Sequence, residues 1–180
     1  MNKLIIIVCF FVPFTVLSQK TLDFVGEKID FTLNPDTFNI NGIYTFINHS
    51  DKKVYSSISF PFAVETNSVI VKRIFNLTYL TDIEFKKNKN ELTFHLFINA
   101  GDTVSINIAY CQPTQENNIY ILTSTQAWSR PLLFAEYSLT VSKKIRIKSF
   151  SYTPDKKRGK IYYWKKTNFM PDKEFIISIH

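Results

Sequence analysis

Histidine, cysteine and paired carboxylates most often carry catalysis, and this sequence of 180 residues holds few that could meet. A nucleophile pair requires a base within hydrogen-bond reach of a thiol, and Cys111 with His95 on adjacent strands is the one such pair we can propose. Asp82 and Glu84 fall on one face of a predicted strand, as paired glycosidase acids do, but this spacing is also typical of a solvated strand face. The sequence therefore favours a protein without catalytic activity.

Metal and cofactor sites have recognisable spacings, and none of these spacings occurs here. The chain has no Cys-x-x-Cys or His-x-Glu pair for zinc, no Gly-x-Ser-x-Gly nucleophile turn, and no glycine-rich loop for phosphate. We predict no metal, no cofactor and no catalytic residue.

The strongest electrostatic feature is a basic segment, residues 143–166, with ten Lys and Arg residues against the single acid Asp155. Cations interleaved with aromatic residues suit an anionic surface polymer or glycan. The competing interpretation is that lysines on an exposed edge hairpin prevent aggregation through the sheet edge. The candidate anion-binding residues are Lys144, Arg146, Lys148, Lys156, Lys157, Arg158, Lys165 and Lys166.

The first 18 residues have the pattern of a cleavable signal peptide. Lys3 precedes an apolar run, 4–17, and Val16 and Ser18 occupy the small-residue positions of a cleavage site. An uncleaved membrane anchor is the alternative, but the run is shorter than the roughly 20 apolar residues that span a bilayer. We predict a secreted or periplasmic protein with no transmembrane segment after signal removal, which makes nucleic acid the least favoured partner.

Cleavage would leave Cys111 as the only cysteine, so no internal disulfide could form. Three interpretations stay open: a buried apolar residue, which we favour, an intermolecular disulfide, or a reactive thiol. Asn48 and Asn76 each begin an Asn-x-Ser/Thr sequon, which would matter only in a eukaryotic source.

The elements that must position these residues are strands, because apolar and polar residues alternate with period two almost throughout. Aromatic residues make up 16% of the chain, as suits a pleated core. Turn signals every 8–12 residues or so predict ten to twelve short strands in an antiparallel two-sheet sandwich, immunoglobulin-like in architecture; an up-and-down β-barrel is the alternative. Pro61 suggests an edge or a bend. We expect one domain over residues 19–180, with a weaker possibility that 125–180 forms a semi-independent sheet.

Three local patterns suggest a relationship with a known group. They are Tyr44-Thr45-Phe46-Ile47-Asn48 with Phe60-Pro61-Phe62, then Ala100-Gly101-Asp102-Thr103-Val104 leading to Tyr110, and Trp128 followed by Pro131-Leu132. Together they resemble exported bacterial β-sandwich domains of uncharacterised function and, more distantly, the N-terminal VIT-type domain of inter-alpha-trypsin inhibitor heavy chains. The resemblance covers residues 27–141 and lacks the alanine-rich helical segment of the VIT pattern. It implies a fold and carries over no functional residue.

Two functions remain from the sequence. The first is an exported non-catalytic protein-interaction or cell-envelope structural module, whose partner is unknown and would be an envelope protein. The second is a binding module for an anionic surface polymer or glycan, acting through a basic hairpin within residues 143–166.

Overall fold

A computed structural model describes residues 21–180, so the predicted signal peptide, 1–18, lies outside the described residues. This part of the chain forms strands joined by turns and two short 3₁₀ helices, Thr66–Ser68 and Thr123–Trp128. The strands are β1 (Leu22–Leu33), β2 (Thr37–Asn48), β3 (Val54–Pro61), β4 (Ile70–Asn76), β5 (Thr81–Asp82), β6 (Phe85–Lys87), β7 (Glu91–Ile98), β8 (Thr103–Pro113), β9 (Asn117–Tyr120), β10 (Leu132–Val141), β11 (Ile147–Phe150), β12 (Lys156–Arg158), β13 (Ile161–Phe169) and β14 (Phe175–Ile179).

Eight strands form one large sheet in the order β12-β13-β10-β1-β2-β8-β4-β5. Its neighbours are antiparallel except β1 and β10, which pair in parallel. Because of the period-two pattern, one face carries apolar residues such as Phe31 and Ile40, and the other carries polar ones such as Lys28 and Asp30.

Two three-stranded sheets, β11-β14-β9 and β3-β7-β6, cover the apolar face of the large sheet. The ring of Phe31 stacks on Phe175 of β14 with a centroid distance of 5.1 Å. Phe60 of β3 meets Tyr110 of β8 edge-on at 5.9 Å. The aromatic residues that made the composition unusual therefore form the contact between the layers.

The all-β sandwich of many short strands is confirmed. The fourteen strands found within residues 21–180 exceed the ten to twelve expected, because β5, β6 and β12 are only two or three residues long and give no periodic signal. The parallel pairing of β1 with β10 was not predicted. Strands after residue 125 pair with earlier ones, β10 with β1 and β14 with β9, so 125–180 is not a separate sheet.

Residues 143–166 do not fold as one hairpin, which corrects the sequence expectation. β11 pairs with β14 in a small sheet, whereas β12 and β13 form a hairpin at the edge of the large sheet. Gly159 makes the turn of that hairpin with a φ of +60°, a conformation that favours glycine. The edge position of β12 agrees with the edge-protection interpretation of its three cations.

Candidate functional site

A cleft of about 690 Å³ opens onto the apolar face of the large sheet. β3 forms one wall, and the 3₁₀ helix Thr123–Trp128 with the end of β9 forms the other. The floor is made by side chains of β1 and β2, among them Phe24, Glu27, Tyr44 and Phe46. Most of the lining is apolar, and among residues 21–180 Glu27 is the only charged residue in it. A cavity of this size, with a mostly apolar lining, a few hydroxyl groups and one charged residue, is typical of a ligand site.

Glu27 is 2% exposed, and two tyrosines hold its carboxylate from different strands. The hydroxyl of Tyr137 donates to Oε1 at 2.6 Å, and that of Tyr120 donates to Oε2 at 2.9 Å. The hydroxyl of Tyr44 lies 3.2 Å from that of Tyr120. Because Tyr120 uses its one proton on Glu27, Tyr44 is the donor in that second contact.

Burial raises the pKa of Glu27 from its ordinary 4.5 to about 7, against the opposing effect of the hydrogen bonds from Tyr137 and Tyr120. Burial also raises the pKa of Tyr44, Tyr120 and Tyr137 well above 10, so these hydroxyls keep their protons. The site therefore presents hydrogen-bond donors around a carboxyl that changes charge near neutral pH.

A β-bulge in β1 brings Glu27 to the floor. The register with β2 shifts between Phe24 and Gly26, so Val25 is the extra residue. Before the bulge Phe24 faces the apolar side, and after it Glu27 and Ile29 do. A bulge reverses which residues of a strand face the core, and here it places an acid among aromatic rings.

Gly42 makes room for the side chain of Tyr44, two residues further along the same strand, β2. A Cβ at Gly42 would come within 2.6 Å of the ring carbons of Tyr44, closer than real contacts allow. The Tyr44 ring also meets Phe60 edge-on at 5.4 Å and Phe24 at 6.2 Å. The glycine therefore fixes the position of a ring that borders both the cleft and the Glu27 network.

The 3₁₀ wall of the cleft is fastened by polar contacts. Glu174 accepts hydrogen bonds from the backbone N–H groups of Leu122 and Thr123, the latter at 3.1 Å. The amide of Gln126 donates to the carbonyl of Pro171 at 2.7 Å. Inside this wall, the Trp128 ring lies 5.6 Å from Phe46 and 6.0 Å from Phe24.

A buried acid on β1 holds the chain just after this wall. Asp23 Oδ2 lies 2.7 Å from Nη1 of Arg130 and 3.1 Å from Nε2 of His49. His49 thus contacts a carboxylate next to the cleft. The end of the wall near Arg130 is thus joined to β1 of the large sheet, whereas its beginning is held by Glu174, which precedes β14 of a small sheet.

The structure places the eight candidate anion-binding residues on two sheets. Lys148 lies on β11, preceded by Lys144 and Arg146 in the approach to that strand, and the other five lie on β12 and β13. Three of the eight have acidic neighbours: Lys148 with Glu116 at 3.5 Å, Lys165 with Glu136 at 3.3 Å, and Lys166 with Asp155 at 2.9 Å.

All three cations of β12 are exposed. Lys156, Lys157 and Arg158 have no acidic partner among residues 21–180, and Lys157 lies over the Tyr162 ring at 5.2 Å. Lys156, Arg158 and Lys165 border a second groove, about 620 Å³, on the polar face of the large sheet. That groove also contains Asp30, Glu136 and Asp155, so its charge is mixed.

Cys111 and His95, considered from the sequence as a nucleophile pair on adjacent strands, lie on strands that are not adjacent. β7, with His95, pairs with β3 and β6, whereas β8, with Cys111, pairs with β2 and β4. Cys111 is a buried free thiol, and His95 stacks on Tyr55 at 4.8 Å. Asp82 and Glu84 are exposed, and β5 ends at Asp82, so the two carboxylates do not share a strand face.

Both sequon asparagines are buried, Asn48 at 0% and Asn76 at 5% exposure. The Nδ2 of Asn48 donates to the carbonyls of Lys52, Ile98 and Asn99, and its Oδ1 accepts from Ser50. These side chains serve the fold as turn-fixing groups.

Within residues 21–180, no group of three or more His, Cys, Asp or Glu side chains is arranged to hold a metal ion. The same residues contain no helix with the length and apolar character needed to cross a bilayer.

No protein-family model matches the chain, and no curated protein is similar to it in sequence. Solved structures share its fold. A candidate nutrient-binding protein of Legionella pneumophila superposes with a TM-score of 0.66 at 14% identity, over 90% of this chain and 68% of that one. An M1 zinc metallopeptidase of Deinococcus radiodurans gives 0.54 at 12%, over 89% of this chain and 43% of that one.

Yeast LTA4 hydrolase, solved with bestatin, gives a TM-score of 0.55 at 8% identity, over 89% of this chain and 29% of that one. The chain thus spans less than half the length of the peptidase and the hydrolase. Identities this low establish a common fold and no common chemistry.

Sequence reasoning missed the cleft and its carboxylate. One signal was present: residues 29, 31 and 33 are apolar and inward-facing, and position 27, in phase with them, holds a glutamate. An acid at a core position of a strand usually has a structural or functional role, since burying a carboxylate is costly. The tyrosines that hold it come from residues 93 and 110 positions away, and no local pattern joins them.

Proposed function

We propose that this protein is an exported, non-catalytic binding domain whose ligand occupies the cleft above Glu27. The observation that carries the proposal is the buried Glu27 carboxyl, which is the only charged group that the described part of the chain places in an open, aromatic cavity of about 690 Å³. The Legionella protein of similar fold, a candidate nutrient-binding protein, is compatible with a binding role. The proposed function is a more specific form of the first function predicted from the sequence, a non-catalytic interaction module, for which the sequence indicated no binding surface.

A ligand that binds only the folded state raises its stability by about 2.7 kcal/mol at a hundred times its Kd. Thermal shift with panels of peptides, amines and sugars should find compounds that raise the Tm of the wild type by about 5 °C or more. Ser56→Phe, which fills the cleft from β3, should abolish these shifts. Thr140→Phe, at an exposed position of β10, is the matched control and should keep them.

The proposal is wrong if no class of compound distinguishes the wild type from Ser56→Phe. It is also wrong if the compounds that bind act equally on both phenylalanine variants, because their site then lies elsewhere.

A second candidate is binding of an anionic polymer at the β12 edge, favoured by the three exposed cations Lys156, Lys157 and Arg158. Changing all three to Ser should abolish salt-sensitive retention on an anionic resin if this candidate is right. The control changes Lys86, Lys87 and Lys89 to Ser, which removes the same charge from another exposed segment. Equal retention of the two triple variants would overturn this candidate.

A further inference from the structure

β3 is an edge strand whose unpaired side borders the cleft. It pairs with β7, and no other strand of residues 21–180 pairs with it. All eight of its residues line the cleft. Because side chains alternate between the two faces of a strand, eight consecutive lining residues show that the strand's edge, and not one of its faces, borders the cavity.

The register shows which backbone groups are free on that edge. The N–H of Phe62 donates to the carbonyl of Asn90 at 2.9 Å, continuing the ladder in which Phe60 opposes Leu92. Hydrogen-bonded and non-bonded pairs alternate in an antiparallel ladder. The even-numbered residues of β3 therefore bond to β7, and the N–H and C=O groups directed away from β7 are those of Tyr55, Ser57 and Ser59.

β3 has few of the features that usually protect a sheet edge. Natural edges carry lysines, inward charges or prolines, and residues 54–61 contain no charged side chain. The one proline, Pro61, falls among the outward-directed positions, so its missing N–H leaves the β7 ladder intact. Ser57 and Ser59, with small side chains, leave the middle of the edge accessible.

We propose that the cleft binds an extended segment of another polypeptide, which adds to β3 as a further strand and directs a lysine or arginine side chain toward Glu27. This inference rests on the proposed function, because it names the ligand class of the same cleft. Strand addition uses main-chain hydrogen bonds for affinity and pockets under alternate side chains for specificity.

The backbone groups set the length of the segment. Tyr55, Ser57 and Ser59 present their N–H and C=O groups at intervals of about 6.7 Å, twice the rise per residue of a strand. A segment of about five residues satisfies all three positions. Since β3 covers the apolar face of the large sheet, alternate side chains of the added strand would project into the cleft and the others into solvent.

The floor favours a cation at one inward position. Each carboxylate oxygen of Glu27 accepts one tyrosine hydroxyl, which leaves lone pairs for a further donor. Phe24, Phe46 and Trp128 offer aromatic surface for the aliphatic stem of a lysine or the plane of an arginine. An acidic side chain would be repelled by Glu27 when the Glu27 carboxylate is charged.

The test is selection of linear nonapeptides from a randomised display library with the full chain as target and Ser57→Pro as counter-target. Proline at position 57 removes an outward N–H and no internal hydrogen bond, and Ser57→Ala is the matched control. We expect selected peptides to alternate in pattern, to carry Lys or Arg at one inward position, and to lose at least tenfold in affinity on Ser57→Pro. Ser57→Ala should change affinity less than twofold, and Glu27→Gln should weaken binding at least tenfold.

Amide hydrogen exchange of the wild-type complex gives a readout independent of any variant. The N–H groups of Tyr55, Ser57 and Ser59 should become protected by at least tenfold on peptide binding, while those of Ser56 and Ile58 keep their rates. Peptides that leave these three amides unprotected, or that bind Ser57→Pro equally, would overturn strand addition. Strand addition would also be overturned if the selected peptides carried acidic residues at the inward position. The same holds if every selected peptide also bound the counter-target.

The free probe Nα-acetyl-lysine amide separates the two proposals. If it binds the wild type but not Ser56→Phe, while no peptide protects the β3 edge, the cleft is a ligand site and only strand addition is wrong. If neither this probe nor any compound of the panels binds the wild type more tightly than Ser56→Phe, both strand addition and the proposed function are wrong.

Discussion

Tyr120 donates a 2.9 Å hydrogen bond to Glu27 across the two layers of the sandwich, from β9 of a small sheet to β1 of the large one. Tyr137, on the strand parallel to β1, holds the other carboxylate oxygen at 2.6 Å. The two bonds fix the carboxyl in place while leaving part of its accepting capacity unused. The cleft thus has a rigid polar centre, which a binding site needs for selectivity.

Glu27 makes stability depend on pH. In the unfolded chain its carboxyl titrates near 4.5, and in the folded chain near 7, because burial disfavours the charged form. The folded state therefore holds an extra proton between these values. The stabilisation that this proton provides is fully present below pH 4.5 and is lost as the pH rises through 7. By pH 8 the loss in the free energy of unfolding is about 3 kcal/mol.

Urea unfolding of the wild type and Glu27→Gln between pH 4 and 8 measures this effect. Tyr44, Tyr110, Tyr120 and Tyr137 around Glu27 stay protonated in this range, and other titrating groups are common to both proteins. From pH 4 to pH 8, the unfolding free energy of the wild type should fall by about 3 kcal/mol relative to that of Glu27→Gln. A constant difference would contradict the raised pKa.

Gly42→Ala should destabilise the fold and disturb the cleft. The new Cβ would lie within 2.6 Å of the Tyr44 ring, so the ring must shift, and its hydroxyl contact with Tyr120 is disturbed. Overpacking of this kind costs about 1 to 3 kcal/mol. In a Tyr44→Leu background the same alanine should cost clearly less, and a double-mutant cycle measured by urea unfolding gives the coupling. Additive effects of the two changes would refute the contact.

The sequence predicted the layers of this molecule well and its site poorly. Period-two alternation in strands such as β7 and β8 identifies which residues face the core, and that is sufficient for a sandwich. The bulge at Val25 reverses the alternation in β1, so Glu27 shares its inward phase with the residues that follow it but not with those that precede it, which weakens the signal. The parallel contact of β1 with β10 joins residues over a hundred positions apart, which no local pattern encodes.

The basic segment shows a different limit. Composition identified the excess of cations in 143–166, but not that β11 and β12 would join different sheets or that Lys165 and Lys166 would face acids. Charge partners depend on strand order, which the sequence does not show. The cations of β12 were still correctly expected at an exposed edge.

Asn48→Ala should destabilise the protein by about 2 to 4 kcal/mol. The buried Asn48 amide donates to three carbonyls, and a buried acceptor that loses its donor costs about 1 to 3 kcal/mol. Asn88→Ala, which removes an exposed amide, is the control and should change the unfolding free energy by less than about 1 kcal/mol. If the two variants lost the same unfolding free energy in urea, the buried hydrogen bonds of Asn48 would not be the cause of the destabilisation.

Glu174→Ala should loosen the 3₁₀ wall of the cleft. Its carboxylate accepts from the N–H groups of Leu122 and Thr123, and hydrogen bonds to a charged group contribute about 1.5 to 3 kcal/mol each. We expect faster amide exchange in residues 122–128, little change in β8 at the core, and weaker binding of any cleft ligand. Glu116→Ala is the matched control, because its ion pair with Lys148 is exposed and contributes at most about 1 kcal/mol. Unchanged exchange in 122–128 would mean that Glu174 does not hold the wall.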